Sequence, residues 1–173
     1  MDSNILKLVK EELQRQSDVI NLIPSENCVS KNVLSVLGSA LTNKYAEGKA
    51  HQRYYFGNEV IDKIEDETKN LVYKVFGISN TEWGVNVQPY SGSIANLAAY
   101  LGVLKLGDKI LAMSLKHGGH LTHGHKVSFT GKLFNFEHYG VNKEGWLDYE
   151  SILKQAKEFK PNLIVAGATA YPR

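Results

Sequence analysis

Three groups of residues in this chain have the types and spacing that chemistry needs. The first is Ser91, Gly92 and Ser93, which stand between an apolar segment and the helix-forming run that begins at Ile94. Two hydroxyls and a glycine backbone at a helix start aim several donors, with the positive end of the helix dipole behind them, at a phosphate. An ordinary capped helix with a small-residue turn has the same three residues. The second group, His117, Gly118, Gly119, His120, Leu121, Thr122, His123, Gly124 and His125, gathers four of the chain's six histidines into one loop after an apolar strand. In open α/β sheets, ligands sit beyond the carboxyl ends of the strands, where this loop falls. Neutral imidazoles at this spacing could ligate zinc, yet the run holds no cysteine or carboxylate. Glycine pairs let a backbone approach a flat ligand and an imidazole can stack on a ring, so an organic cofactor fits at least as well. The third group is Tyr45, Ala46, Glu47 and Gly48 with Arg53, Tyr54 and Tyr55. A carboxylate among phenols acts as a general acid or base where burial raises its pKa, although an exposed surface glutamate is the commoner case.

The elements that must position these groups follow from periodicity. Ile5, Leu6, Val9 and Leu13 predict an amphipathic helix over residues 4–17 with Ser3 as its cap. After Pro24, Ser30 caps a second helix carrying Val33, Leu34, Leu37 and Leu41. Residues 42–57 have neither period, and long aperiodic segments rich in polar aromatics tend to form sites. Asn58 caps a third helix, with Ile61, Ile64, Leu71, Val72 and Val75 on one face and Gly77 as its stop. Then come a strand over 85–88, a helix over 91–105, strands over 109–115 and 132–138, a helix capped by Asp148, and a strand over 163–166. Strands alternating with helices predict an α/β layer with mainly parallel pairing and flanking helices, incomplete at the C-terminus because an apolar strand lies just before Arg173.

Length and composition narrow the class. A chain of 173 residues with 43% hydrophobic and 22% charged side chains has the make-up of one globular domain. Twenty basic and eighteen acidic residues leave a charge of +2, scattered along the chain, which argues against nucleic acid as a partner. Cys28 is the single cysteine, no apolar signal core follows Met1, and no run approaches membrane-spanning length, so a cytoplasmic protein with no membrane partner is expected.

Taken together, five stretches resemble serine hydroxymethyltransferase, a pyridoxal-phosphate enzyme of the aspartate aminotransferase-like fold. They are Leu22 to Asn27 (LIPSEN), Leu41 to Gly48 (LTNKYAEG) with Arg53 to Tyr55 (RYY), Asn86 to Ser93 (NVQPYSGS), His117 to Gly124 (HGGHLTHG) and Ala166 to Arg173 (AGATAYPR). Their order resembles the family from about residue 20 onward, over the front part of a longer protein. The resemblance implies that residues 1–60 form a helical arm with a substrate and partner loop, and that 61–173 begin the large cofactor-binding domain. It implies a cofactor set of Ser91, Gly92 and Ser93 on the phosphate, Tyr55 reaching a phosphate held by a neighbouring subunit, His120 stacked on the pyridine ring, and Thr169, where the family commonly has serine, on the ring hydroxyl. It implies that Glu47 moves protons, with Tyr45, His120 and His123 also in the catalytic group. Ser25, Tyr45 and Glu47 would meet the amino acid, and Tyr54, Leu115, Gly119 and Leu121 would line the folate pocket.

The implied reaction converts serine and tetrahydrofolate to glycine and methylene-tetrahydrofolate, with pyridoxal phosphate as cofactor, tetrahydrofolate as co-substrate and no metal. In the family the lysine that binds the cofactor covalently, the aspartate on the ring nitrogen and the arginine on the substrate carboxylate lie beyond the point matching Arg173. A fragment inactive alone is therefore expected, as a homodimer or in association with a complementary C-terminal chain. Two other classes compete: a metal-binding or hydrolytic domain built on the histidine loop, and a non-catalytic assembly module. The hydrolytic variant is poor, because the chain has no G-x-S-x-G elbow.

Overall fold

In the computed structural model, which describes residues 3–173, the chain forms two compact units. One combines Met1–Cys28 with Leu104–Arg173, and the other is Val29–Val103.

The first unit is built on a parallel sheet. Its strands β3 (Lys109–Met113), β4 (Asn135–Tyr139) and β5 (Leu163–Val165) lie in the order β4-β3-β5. The middle strand sets Ile110 beside Phe136 on one side and Leu163 on the other, both in parallel register. A central strand meets protein on both faces, which is why its apolar run is continuous, and Ile110, Leu111 and Ala112 are fully buried. Leu111, Met113 and Tyr139 pack against Ile152, Ala156 and Phe159 of helix α6 (Tyr149–Phe159). Burying side chains of this size stabilises by about 1.5–3 kcal/mol each. Asp148 starts α6 as expected, its Oδ1 accepting from the Ser151 amide at 3.1 Å. Helix α1 (Ser3–Asp18) carries no buried residue, and Gln14 donates to Asp18 at 2.8 Å along its surface. Ser3 is the first described residue of this helix, so the position before it lies outside the described residues.

Strand boundaries differ from expectation at three points. The strand expected over 132–138 begins only at Asn135, because Ser128 starts a short helix α5 (Phe129–Leu133) by accepting from the Gly131 amide at 3.2 Å. The strand expected to reach Leu115 stops at Met113, and Leu115–His117 coil into a 3-10 turn. The last strand ends at Val165 and not at Ala166.

The second unit holds α2 (Lys31–Leu37), the hairpin strands β1 (Gly48–Lys49) and β2 (Gln52–Arg53), α3 (Glu59–Phe76) and α4 (Gly92–Val103). Ser30 caps α2, accepting from Val33 at 3.3 Å, but the helix stops at Gly38 and Leu41 falls in a separate 3-10 turn, Ala40–Asn43. Helix α3 ends at Gly77, whose φ of 63° is the left-handed geometry glycine adopts most readily. Asn58 precedes α3 without capping it: its amide donates instead to the carbonyls of Tyr55 at 2.9 Å and Tyr45 at 3.4 Å. The segment 85–88 joins no ladder. Asn86 bends it by accepting from the Gln88 amide at 2.9 Å, and the Gln88 side chain reaches the Gly48 carbonyl at 2.8 Å. Among the described residues no helix is long and apolar enough to cross a membrane.

Candidate functional site

In the second unit the aperiodic stretch 44–57 is held by one buried guanidinium. Arg53, its side chain 5% exposed, donates to Asp62 at 2.8 Å and Glu65 at 2.6 Å on α3. It also donates to the carbonyls of Ala46 at 2.8 Å and Gly48 at 2.6 Å. The fork geometry of arginine lets one group tie both ends of a loop to a helix. Lys69 closes on Glu65 at 3.0 Å, and His51 meets Asp66 at 2.7 Å. The Arg53 hydrogen bond holds the Asp62 carboxyl below its ordinary range. Burial pushes Glu65 up, but hydrogen bonds from Arg53, Lys69 and Gln88 outweigh it and leave this carboxyl lowered too.

The loop so fixed presents the third group of residues. Tyr54 donates its backbone N–H to the Glu47 carbonyl at 3.1 Å, which pins Glu47 to the hairpin while its side chain stays exposed. Tyr45 and Tyr55 meet edge to face, ring centroids 5.2 Å apart. Farther along, Ser91 stands before the first residue of α4. Its carbonyl accepts from Ala95 at 3.0 Å and its hydroxyl oxygen accepts from Ile94 at 3.4 Å. Ser91, Gly92 and Ser93 are all exposed, and no heavy atom lies within 4 Å of where a Gly92 side chain would start. A capping hydroxyl keeps its own proton to donate, and the first amides of a helix have no partner within it. These are the donors an anion needs.

In the first unit the histidine loop leaves the end of β3. Gly119 sits so close that a Cβ would lie 2.1 Å from the Met113 carbonyl oxygen, and its amide donates to Ser114 at 2.9 Å. The Gly118 carbonyl accepts two amides from the segment after β5, Thr169 at 2.7 Å and Ala170 at 3.0 Å. Thr169 is therefore brought onto the same loop as the histidines. The Nδ1 of His120 accepts from the Thr122 amide at 3.2 Å and lies 2.8 Å from its hydroxyl. His123 is buried, its Nδ1 accepting from the His120 amide at 3.2 Å, and burial lowers its pKa. A cavity of about 350 Å³ opens here, lined by Leu115, Lys116, His120, His123, His125 and His138 among others. Leu115 and Leu121 are exposed and Gly119 is buried. Ser25 is exposed in the turn closed by the Glu26 amide on the Ile23 carbonyl at 3.1 Å.

Within each unit, then, the structure gathers Tyr45, Glu47, Tyr54 and Tyr55 around Arg53 and Asn58, and gathers His120, His123, Leu115, Gly119 and Thr169 around one loop. Sequence reasoning passed over the anchoring role of Arg53 and Asn58. The signal was present: Asp62, Glu65, Asp66 and Lys69 recur three and four residues apart, a charged stripe on the same helix whose apolar stripe was read instead. Among the described residues, no three His, Cys, Asp or Glu side chains come together in a way that could hold a metal ion. Each imidazole of the loop has its Nδ1 on a backbone amide, and that of His120 also meets the Thr122 hydroxyl.

The family model described as serine hydroxymethyltransferase matches residues 1–173, the whole of the chain. This chain belongs to the serine hydroxymethyltransferase family. A curated relative, the serine hydroxymethyltransferase of Desulfotalea psychrophila, is 54% identical over 172 residues, which cover 99% of this chain and 40% of that protein. The chain thus spans well under half the length of the relative it matches. Serine hydroxymethyltransferases are pyridoxal-phosphate-dependent transferases, and the α/β architecture with its parallel three-stranded sheet fits part of such a fold.

Proposed function

We propose that this chain supplies the phosphate-holding, ring-stacking and proton-moving residues of a serine hydroxymethyltransferase, which transfers the one-carbon unit of serine to tetrahydrofolate. The observation that carries the reading is the exposed Ser91-Gly92-Ser93 start of α4 in a chain that matches the family model along its full length. The donor set suits the cofactor. Two hydroxyls, the amides of Gly92 and Ser93 and a helix of twelve residues behind them complement a doubly negative phosphate ester. The partly buried His120 imidazole, fixed through Nδ1, offers a flat face to a ring, and the Thr169 hydroxyl can bond a ring hydroxyl. In this reading the larger fold is the aspartate aminotransferase type, and residues 1–60 form the arm and substrate loop preceding the cofactor domain.

When bound, pyridoxal phosphate supplies an electron sink for the pair released as the serine side chain is cleaved. The chain's own residues do the rest. Ser91, Gly92 and Ser93 fix the phosphate end, which limits rotation of the ring and selects the bond that reacts. Glu47 accepts the proton of the serine side-chain hydroxyl as that carbon departs, held in place by the backbone bond from Tyr54 and by the Arg53 anchor. Ser25 and Tyr45 orient the amino acid, with His123 beneath the loop keeping His120 in register. Tyr54, Leu115, Gly119 and Leu121 exclude water beside the folate. Tyr55 reaches the phosphate of a second subunit, so the functional form is a homodimer, in the cytoplasm.

A chimera tests the assignment. This chain replaces the matching 40% of the Desulfotalea psychrophila relative, and serine-dependent formation of methylene-tetrahydrofolate is measured. The expected result is a folded, active chimera whose Glu47→Gln form loses at least tenfold in kcat with little change in serine KM. A folded chimera without activity contradicts the proposal.

A further inference from the structure

Within the second unit, Gln88 meets two of the acceptors that Arg53 meets. Its Nε2 donates to the Gly48 carbonyl at 2.8 Å and to Glu65 Oε2 at 3.3 Å, and the guanidinium reaches the same two atoms at 2.6 Å each. Arg53 belongs to the hairpin it holds. Gln88 comes from elsewhere in the chain, 40 residues from Gly48 and 23 from Glu65. The Gly48 carbonyl is the backbone group one residue past Glu47, so a donor that fixes it fixes the point from which the Glu47 side chain leaves the hairpin.

The backbone around Gln88 is itself constrained. Its N–H donates to Asn86 Oδ1 at 2.9 Å, Pro89 sets the next φ, and Ser91 stands only three residues on. A short, stiff stretch therefore separates the side-chain amide on the Glu47 loop from the hydroxyl at the start of α4.

We propose that Gln88 is a positioning residue that couples the phosphate cradle at the start of α4 to the loop carrying Glu47. The inference rests on the cradle reading above. An anion on Ser91, Gly92 and Ser93 orders the residues that precede them, and Gln88 then loses less freedom in holding Gly48. The effect runs both ways, so a loop held by Gln88 favours the filled cradle by the same factor. One net side-chain hydrogen bond bounds that factor at about two- to tenfold.

The test is amide NMR on the isotope-labelled full chain, titrated with pyridoxamine 5′-phosphate, which carries the phosphate ester without an aldehyde to react with surface lysines. Binding is read from the Ser91, Gly92 and Ser93 resonances. The loop is read from hydrogen exchange at Tyr54, whose N–H donates to the Glu47 carbonyl at 3.1 Å. In the parent, saturation should slow Tyr54 exchange by about two- to tenfold. Gln88→Glu keeps the side-chain shape but has no proton to donate, and Gln88→Ala removes the group; in both, the ligand should leave Tyr54 exchange unchanged and bind more weakly by the same factor. Gln88→Lys, whose ammonium can donate to both acceptors, should recover the slowing. A merely structural role would speed exchange across the interior of α3 and would not make the Tyr54 response depend on ligand. Slowing that persists in Gln88→Ala, or shifted cradle resonances in the parent with no slowing at Tyr54, overturns the inference and leaves the cradle reading standing. No shift of the cradle resonances in the parent overturns the cradle reading and the coupling with it.

Discussion

Replacing Gly119 by alanine places a methyl carbon 2.1 Å from the Met113 carbonyl oxygen and 2.9 Å from the Ser114 carbonyl oxygen. Ordinary contact begins at 3.4 Å, so the turn must move by more than 1 Å (3.4 − 2.1 = 1.3 Å) against the end of a buried central strand. Such overpacking costs about 1–3 kcal/mol. The Gly119 amide also loses its bond to Ser114, at about 1 kcal/mol. Together these predict a destabilisation of about 2–4 kcal/mol. For a chain of this size that lowers Tm by about 4–16 °C. Thermal unfolding followed by circular dichroism measures it. Gly102→Ala is the control: it lies inside α4 with nothing within 4 Å of its Cβ position, and it should raise stability by up to about 1 kcal/mol. A Gly119→Ala protein as stable as the parent would refute the claim that backbone approach, and not chance, puts glycine at this point of the loop.

Other consequences follow from the two units. Asp62 and Glu65 have lowered carboxyl pKa values, so the stability they contribute is complete above the ordinary carboxylate range and is lost as pH falls through the folded values. Urea midpoints measured from pH 7 to pH 3 should fall on the acid side, and Arg53→Gln should flatten that limb; an unchanged limb contradicts the anchor. His123 also has a lowered pKa, so its contribution is full above about pH 6.5 and declines on acidification; His123→Gln should remove the part of the midpoint decline between pH 6.5 and the carboxylate range. Thr130 is buried and donates to the Thr122 carbonyl at 2.9 Å, so Thr130→Val should destabilise by about 1–3 kcal/mol, read by chemical denaturation. Ser91→Ala removes the acceptor for the Ile94 amide and should cost about 1 kcal/mol, separable from any loss of phosphate binding by melting the protein without ligand.

Much of this architecture was legible because local chemistry and tertiary demand agree. Lys109–Met113 reads as a buried strand from its apolar run, and Ser30 and Asp148 read as caps because each side-chain oxygen has an amide two or three turn positions ahead to satisfy. The segment 85–88 misled because alternating valines look like a strand, whereas the Asn86 side chain supplies the competing hydrogen bond. Asn58 misled for a related reason: its amide satisfies two loop carbonyls instead of the helix end. The candidate site residues were visible as clusters of residue type. What no local pattern shows is that a single arginine, Arg53, ties the Glu47 loop to α3, since its four partners lie between five and twelve residues away.

The central claim is that the start of α4 grips a phosphate ester. The most direct measurement is a ³¹P titration of the protein with pyridoxal phosphate, run beside Gly92→Asp, which sets a negative charge where the anion would sit. The account predicts a saturable shift of the phosphate resonance that the variant abolishes while its fold persists. A shift of equal size in Gly92→Asp, or none in the parent, contradicts it.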